Sequence, residues 1–340
     1  MAKKVKMADI ATALNVSTVT VSKALSGQKG VSEEMRQRIR ELASELGYQH
    51  SQASIKAERM PSYNIGVIVP TEYFGKFESF YWQMYQEVAT ESLKKGCFTL
   101  LEVISPEDEA DLTLPMLVKE QKADGIILIG RPDSSYIKKI RDESKMPLVC
   151  LDFFDESGNC DSVISDGFYG TYILTNHLFD KGHNEIAYVG TLLYTGSITD
   201  RYLGYLKSMM EHGVEVKKEW VLDDRDWERG DVTGFEFKLP QKMPHAFVCN
   251  SDLTASALIK AVREQGYRVP EDISVVGFDN FLFPGLCDIG ITTYEVDTKE
   301  MARKSISILL KKINRQNYKT GIHIVEGSLI QKDSVLMRIR

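Results

Sequence analysis

Met7-Ala8-Asp9-Ile10-Ala11-Thr12-Ala13-Leu14-Asn15-Val16-Ser17-Thr18-Val19-Thr20-Val21-Ser22-Lys23-Ala24-Leu25 reads as a short apolar helix, a tight turn and a second helix. The turn falls at Asn15-Val16. Ser17 suits the N-cap of the second helix, because its hydroxyl accepts from an orphan N–H of the first turn. Val21, Ala24 and Leu25 recur at helical spacing and pack back on Ile10, Ala11 and Leu14. Thr18, Val19, Ser22 and Lys23 are left facing out. Small polar, methyl-bearing and basic residues on the outer face of a helix-turn-helix describe a DNA-reading unit. After the loop Ser26-Gly27-Gln28-Lys29-Gly30, Ser32 caps a third helix that runs to Leu46 and stops at Gly47. Its apolar stripe is Ile39, Leu42, Ala43 and Leu46. Three such helices share one small core.

Charge separates this head from the rest of the 340-residue chain. Residues 1–60 hold ten Lys/Arg against six Asp/Glu, a net of +4, which leaves −10 for the remainder of a chain whose total is −6. A basic head on an acidic body suits a polyanion at one end and nothing of that kind elsewhere. The length exceeds one ordinary core and requires at least two domains. The five cysteines (Cys97, Cys150, Cys160, Cys249, Cys287) are scattered without a C-x-x-C, so neither a metal centre nor a disulfide framework is expected. The charged N-terminus lacks an apolar secretory segment, and no run is long enough to span a membrane. These features point to the cytoplasm.

From Asn64 the texture becomes alternating β and α. Strands are expected at Asn64–Pro70, Thr99–Val103, Gly125–Gly130 and Leu148–Asp152, with a helix from about Phe80 to Lys95. A second series opens at Val163-Ile164-Ser165 and continues through 185–190, 246–249 and 273–278. Near-continuous apolar strands between helices indicate parallel sheets covered on both faces. Two series mean two doubly wound subdomains, with Thr293–Asn314 and the strand Ile322–Val325 returning to the first. The expected division is a headpiece over 1–48 and a linker over 49–62. The first subdomain then comprises 63–162 and 294–324, and the second 163–293 and 325–340.

The head pattern Ala8-Asp9-Ile10-Ala11, Val16-Ser17-x-x-Thr20-Val21-Ser22-Lys23-Ala24-Leu25, Val31-Ser32-x-x-x-Arg36-x-x-Ile39 and Leu46-Gly47-Tyr48 resembles the headpiece of the LacI/GalR family of transcription regulators. The body resembles that family's periplasmic-sugar-binding-protein fold nearly to Arg340. The resemblance implies a small all-α helix-turn-helix headpiece on an α/β core of two doubly wound parallel-sheet subdomains. It implies a DNA-binding repressor of carbohydrate genes, acting as a homodimer on a palindromic operator under a small sugar-like effector, with no cofactor. Thr18 and Val19 would face base edges, their methyls suited to thymine. Ser22 would take a phosphate or base contact. Lys23, where the family more often has Arg, would read a guanine with one flexible donor. Ser17, Lys6 and Ser32 complete the DNA-facing set, with Ala57 from the linker. There the family wedges a leucine into the minor groove, and His50 replaces the usual proline. Alanine is too short to hold a base step unstacked, so DNA binding is implied more strongly than operator bending.

In open α/β sheets ligands bind beyond the carboxyl ends of the strands, and between two such domains the sites converge on the cleft. Phe80 and Tyr81 follow the first strand, where the family places aromatic contacts to the effector, and Asp152 and Phe153 end the fourth. Asp166-Gly167 matches the family's D-G, Arg201-x-x-Gly204-Tyr205 its R-x-x-G-[WYF], and Asp226-Trp227 its D-W. Asp252 falls on the aspartate of N-D-x-x-A, with Ser251 replacing the asparagine, and Asp279 matches the aspartate of G-[FY]-D-[DN]. By this resemblance Arg201 donates to ligand oxygens, the aspartates accept from hydroxyls, and Trp227 packs on the apolar face. Carboxylates, an arginine and aromatics suit a neutral polyol. Phe80 and Tyr81 equally fit a helix core, and Asp166 and Asp252 equally fit N-caps. A sugar-phosphate, purine or protein corepressor remains an alternative effector. A sugar-binding protein or a sugar-phosphate enzyme remains an alternative class. No phosphate loop, metalloprotease or hydrolase motif is present, and His183 in Gly182-His183-Asn184-Glu185-Ile186 reads as structural. The tail from Ser328 carries no leucine heptad, which favours a dimer over a zippered tetramer.

Overall fold

The computed structural model describes residues 5–25, 28–46, 48, 62–74, 79–227, 230, 232 and 234–338. The chain divides into two compact units, Met1–Pro61 and Ser62–Arg340. In the first, α1 (Met7–Ala13), α2 (Thr18–Leu25) and α3 (Glu33–Glu45) enclose one core. Ile10, Val21, Ala24 and Ile39 are fully buried in it. Asn15 takes a left-handed φ of 52° at the turn, a conformation asparagine tolerates better than most residues. The Ser17 hydroxyl accepts from the Thr20 N–H at 3.0 Å and Ser32 from Met35 at 3.3 Å, so both expected caps form. Leu46 is 40% exposed rather than part of the buried stripe, because it is the C-cap where the helical face runs out. Gly47 and residues 49–61 of the linker, including Ala57, lie outside the described residues.

The second unit opens with β1 (Asn64–Pro70), α4 (Phe80–Lys94), β2 (Phe98–Ile104), the short α5 (Pro106–Ala110) and α6 (Met116–Lys119), and β3 (Gly125–Ile129). Then come α7 (Ser134–Glu143), β4 (Leu148–Leu151), β5 (Asp161–Ser165), α8 (Gly167–Asp180), β6 (Ile186–Val189), α9 (Gly196–Glu211) and β7 (Val221–Leu222). It closes with β8 (Ala246–Cys249), α10 (Asp252–Glu264), β9 (Ser274–Asp279), β10 (Thr292–Glu295), α11 (Thr298–Ile313), β11 (Ile322–Val325) and β12 (Ser328–Ile330). Among the described residues these strands make two sheets, ordered β11-β5-β4-β3-β1-β2 and β12-β10-β9-β8-β6-β7. Each neighbouring pair is parallel except β10–β12. Ile65 to Pro70 are buried without alternation, as a strand covered on both faces requires.

The structure corrects two boundaries. Val163-Ile164-Ser165, expected to open the second sheet, is part of β5 and lies in the first sheet between β4 and β11. An apolar run announces a buried strand but not its neighbours, and pairing alone assigns it. The chain therefore passes between the sheets after β5, after β10 and after β11. Of the expected return of Thr293–Asn314 and Ile322–Val325 to the first subdomain, α11 and β11 do pack there, but Thr293 to Glu295 lie in β10 of the second sheet, paired with β9. Asp161 pins α11 to the first sheet: its carboxylate accepts from Lys312 Nζ at 2.7 Å, Tyr318 Oη at 2.8 Å and the Gly321 N–H at 2.8 Å. In the second subdomain α8 crosses α9 so closely that a Cβ on Gly204 would lie 2.0 Å from the Phe168 carbonyl oxygen. That contact gives the glycine of the R-x-x-G element a packing reason.

Candidate functional site

On the head, α2 exposes Thr18 and Val19, the latter 59% exposed. Ser22 and Lys23 are half-buried and engaged with neighbouring groups. Ser17 and Ser32 are exposed but hold helix caps, and Lys6 is exposed at the start of α1, its backbone N–H donating to Asp9 at 2.7 Å. Arg36, quoted in the head pattern without a role, is buried. Its guanidinium donates to the carbonyls of Gln28 at 3.0 Å, Ala24 at 3.3 Å and Lys23 at 3.4 Å. A cation on those orphan carbonyls fixes the end of α2 and complements its dipole. The signal was present: positions 36, 39 and 43 share one helical face.

In the core unit a cleft open to solvent lies between the two subdomains. Tyr81, on α4, and Asp152, just past β4, line it from the first subdomain, and Asp200, on α9, lines it from the second. Beside it Arg201, on α9, lies over the Phe278 ring, 3.9 Å from the centroid. The guanidinium donates to the Asn250 carbonyl and, at 3.0 Å, to Asp279 at the end of β9. Its Nε–H is buried with no protein partner. Burial pushes the Asp152 carboxyl up to about 7, Arg201 across the cleft holding it back while Asp279 adds to the rise. Burial likewise raises Asp279 against the pull of Arg201. Tyr81, Asp152, Arg201 and Asp279 thus share one electrostatic cluster drawn from both subdomains. Phe80 approaches Phe281 of the other subdomain edge-on, centroids 6.3 Å apart.

The other expected site residues do different work. Asp166 accepts from the Tyr169 N–H at 2.9 Å and Ser251 from Thr254 at 3.1 Å, so each caps a helix, α8 and α10. The exposed N–H groups of a first turn claim the nearest side-chain oxygen. Asp252 is 2% exposed and sits against β9, its Oδ1 only 2.0 Å from where a Cβ on Gly277 would be. Trp227 is 60% exposed and meets Tyr194 edge-on at 5.7 Å. None of these four lines the cleft.

Sequence reasoning missed a buried network at the ends of β6, β7 and β8. Asp224, fully buried, accepts from Arg225 at 2.7 and 3.0 Å, from Asn250 at 2.7 Å, from Thr254 at 2.7 Å and from the Thr191 N–H at 2.9 Å. Burial alone would raise this carboxyl; Arg225, Asn250 and Thr191 together outweigh it and hold the group well below the usual range. Asp224 stands beside the D-W pair, but its burial appears only once three strand ends converge. Among the described residues no cluster of His, Cys, Asp and Glu is placed to hold a metal, and no helix is long and apolar enough to cross a membrane.

Comparison with known proteins adds two family matches. Residues 6–51 match the model of bacterial regulatory proteins, lacI family, and residues 175–335 that of a periplasmic binding protein-like domain. The chain is 28% identical over 313 residues to the HTH-type transcriptional repressor PurR of Glaesserella parasuis serovar 5, covering 91% of this chain and 90% of that protein. It is 25% identical over 332 residues to the PurR of Aliivibrio salmonicida, covering 96% and 98%. Two solved structures share the fold. One is the lac repressor dimer bound to operator and the anti-inducer ONPF, with TM-score 0.66, 23% identity and coverage of 98% and 100%. The other is the transcriptional regulator CelR–cellobiose complex, with TM-score 0.67, 20% identity and coverage of 97% and 99%.

Proposed function

We propose that the chain is a DNA-binding regulatory protein of the lacI family, a helix-turn-helix headpiece on a periplasmic-binding-protein-like domain, and that it is a repressor governed by a small, neutral, hydroxyl-rich effector in the cleft. Two heads of a homodimer would each set α2 in a major groove, so the operator would be palindromic. Thr18 and Val19 would meet base edges, and Ser22 and Lys23 the adjoining bases and phosphates.

The observation that carries the effector reading is the cluster in which Tyr81 and Asp152 face Arg201 and Asp279. Sugar hydroxyls donate and accept at once, which suits a carboxylate beside a guanidinium. The Arg201 Nε–H is a ready donor for a ligand oxygen. The cations near the cleft already hold partners: Arg201 has Asp279, Arg225 has Asp224 and Arg131 has Glu156. A phosphorylated effector would have to displace a carboxylate from one of them, at the cost of leaving that carboxylate unpaired. This favours a neutral carbohydrate.

The test is in vitro selection of random duplex DNA by the full-length protein, followed by titration with sugars. A two-fold-symmetric consensus is expected. Val19→Ala should relax its preference at one base pair per half-site by about 1 kcal/mol. A consensus without two-fold symmetry refutes the dimeric reading, and no enrichment with or without sugars refutes the DNA-reading role of this head.

A further inference from the structure

Strand pairing brings two of the five free thiols together. Cys150 lies in β4 opposite Ser162 of β5, and Cys160 stands two residues before Ser162, so both cysteines belong to the same face of the sheet. They share one apolar cluster with Tyr136, Ile137 and Ile140 of α7, Cys150 fully buried and Cys160 7% exposed. The two thiols are hydrogen-bonded to each other. That bond and burial push the Cys150 thiol up. The same bond, aided by Arg141 and Lys312 against burial and Asp155, holds the Cys160 thiol below the usual range. Both cations are fixed, Arg141 by Asp155 at 3.1 Å and Ser157 at 2.7 Å, and Lys312 by Asp161 at 2.7 Å. Residues 152–160 join β4 to β5 without a helix, and because the two strands are parallel this segment runs back along the sheet. It carries Asp152, Phe153, Phe154 and Glu156, which line the cleft, and its residues Glu156 to Asn159, just ahead of Cys160, are exposed.

We propose that Cys150 and Cys160 are a peroxide-responsive thiol pair whose disulfide clamps the segment lining the cleft. The Cys160 sulfur, flanked by two cations, attacks one oxygen of hydrogen peroxide. An S–O bond forms, the O–O bond breaks, and the departing hydroxide leaves as water with the Cys160 proton. The Cys150 sulfur then attacks the sulfenic acid on Cys160. The S–S bond forms, the S–O bond breaks, and the Cys150 proton leaves with the hydroxide as a second water. Two thiols lose two electrons in all, and one peroxide is reduced to two waters. The closed loop restrains the backbone that presents Asp152, Phe154 and Glu156. Oxidation therefore reaches the cleft whatever the chemistry of the effector.

The experiment is treatment of the reduced full-length protein with hydrogen peroxide, followed by tryptic mass spectrometry without reductant. Both cysteines fall in the tryptic peptide 146–181, which should lose the mass of two hydrogens and regain it with dithiothreitol. This change is expected before any modification of Cys97, Cys249 or Cys287. Cys160→Ser, checked for an unchanged melting curve, should abolish it, and Cys150→Ser should stop at a Cys160 sulfenic acid that dimedone traps. In the oxidised protein, amide hydrogen exchange across 152–160 should slow by a factor of about three or more. Addition of oxygen to Cys160 in the parent without a cross-link overturns the pair. So does a first cross-link through Cys287, or no reaction at excess peroxide. A disulfide that forms but leaves exchange across 152–160 unchanged overturns the clamp on the cleft.

Discussion

Asp152 and Asp279 end strands from opposite subdomains, and both hold left-handed backbone, with φ of 69° and 98°. Such conformations cost on the order of 1–3 kcal/mol in a residue with a Cβ and gather where a side chain must be aimed at a ligand. The strain and the burial act on the same groups. Because Asp152 is raised to about 7 in the folded chain, the free protein loses stability from it as pH climbs from the ordinary carboxylate range through that value. Asp152→Asn should therefore gain on the parent by about 1–2 kcal/mol between about pH 5 and pH 8, a figure reduced for the water in the cleft. Thermal midpoints of the two proteins at both pH values check this, and equal differences refute it. A hydroxyl donating to the ionised carboxylate makes effector binding tighten over the same interval. The candidate residues were readable from sequence because their motifs are local. The Asp152 shift was not, since it comes from burial that only tertiary packing creates, with Arg201 opposing and Asp279 adding to it from another sheet.

At the level of elements, caps and termini explain most of what sequence reasoning placed and misplaced. Ser17 and Ser32 were legible as caps because a hydroxyl just before an apolar periodic run has one dominant use. Asp166 and Ser251 follow the same rule and are helix caps first, although the resemblance had placed them on the effector. Arg36 is the reverse case, a charged residue on an apolar face whose partners are the carbonyls ending another helix. Replacing it with methionine keeps the packing but strands those carbonyls. Arg36→Met should cost the head about 1–3 kcal/mol. Faster amide hydrogen exchange across α2 would register it, and unchanged protection of α2 would show that the guanidinium does not hold that helix.

At the level of the molecule, the chain passes three times between two sheets, so the subdomains are joined by short segments after β5, β10 and β11 and share a cleft. A ligand bridging that cleft favours one disposition of the subdomains. It alters DNA affinity only by its differential affinity for the two states. Whatever factor the effector applies to operator affinity, the operator must apply to effector affinity. Fluorescence anisotropy of labelled operator with and without sugar gives the first factor, and calorimetry of the sugar with and without operator gives the second. A shift of five-fold or more, equal in both directions, is expected. Tight sugar binding that leaves operator affinity unchanged refutes the coupling.

Local chemistry determined the parts of this protein: three capped helices with a polar outer face, alternating apolar strands and helices, and aspartates and an arginine at strand and helix ends. Each rests on interactions within a few residues, where periodicity, capping and turn preference act. Tertiary structure alone decided that 163–165 belongs to the first sheet, that Asp224 and Arg225 form a buried network, and which of the candidate carboxylates face the cleft. Those outcomes depend on which strand ends meet, and strand pairing and burial join residues too far apart along the chain for any local pattern to record.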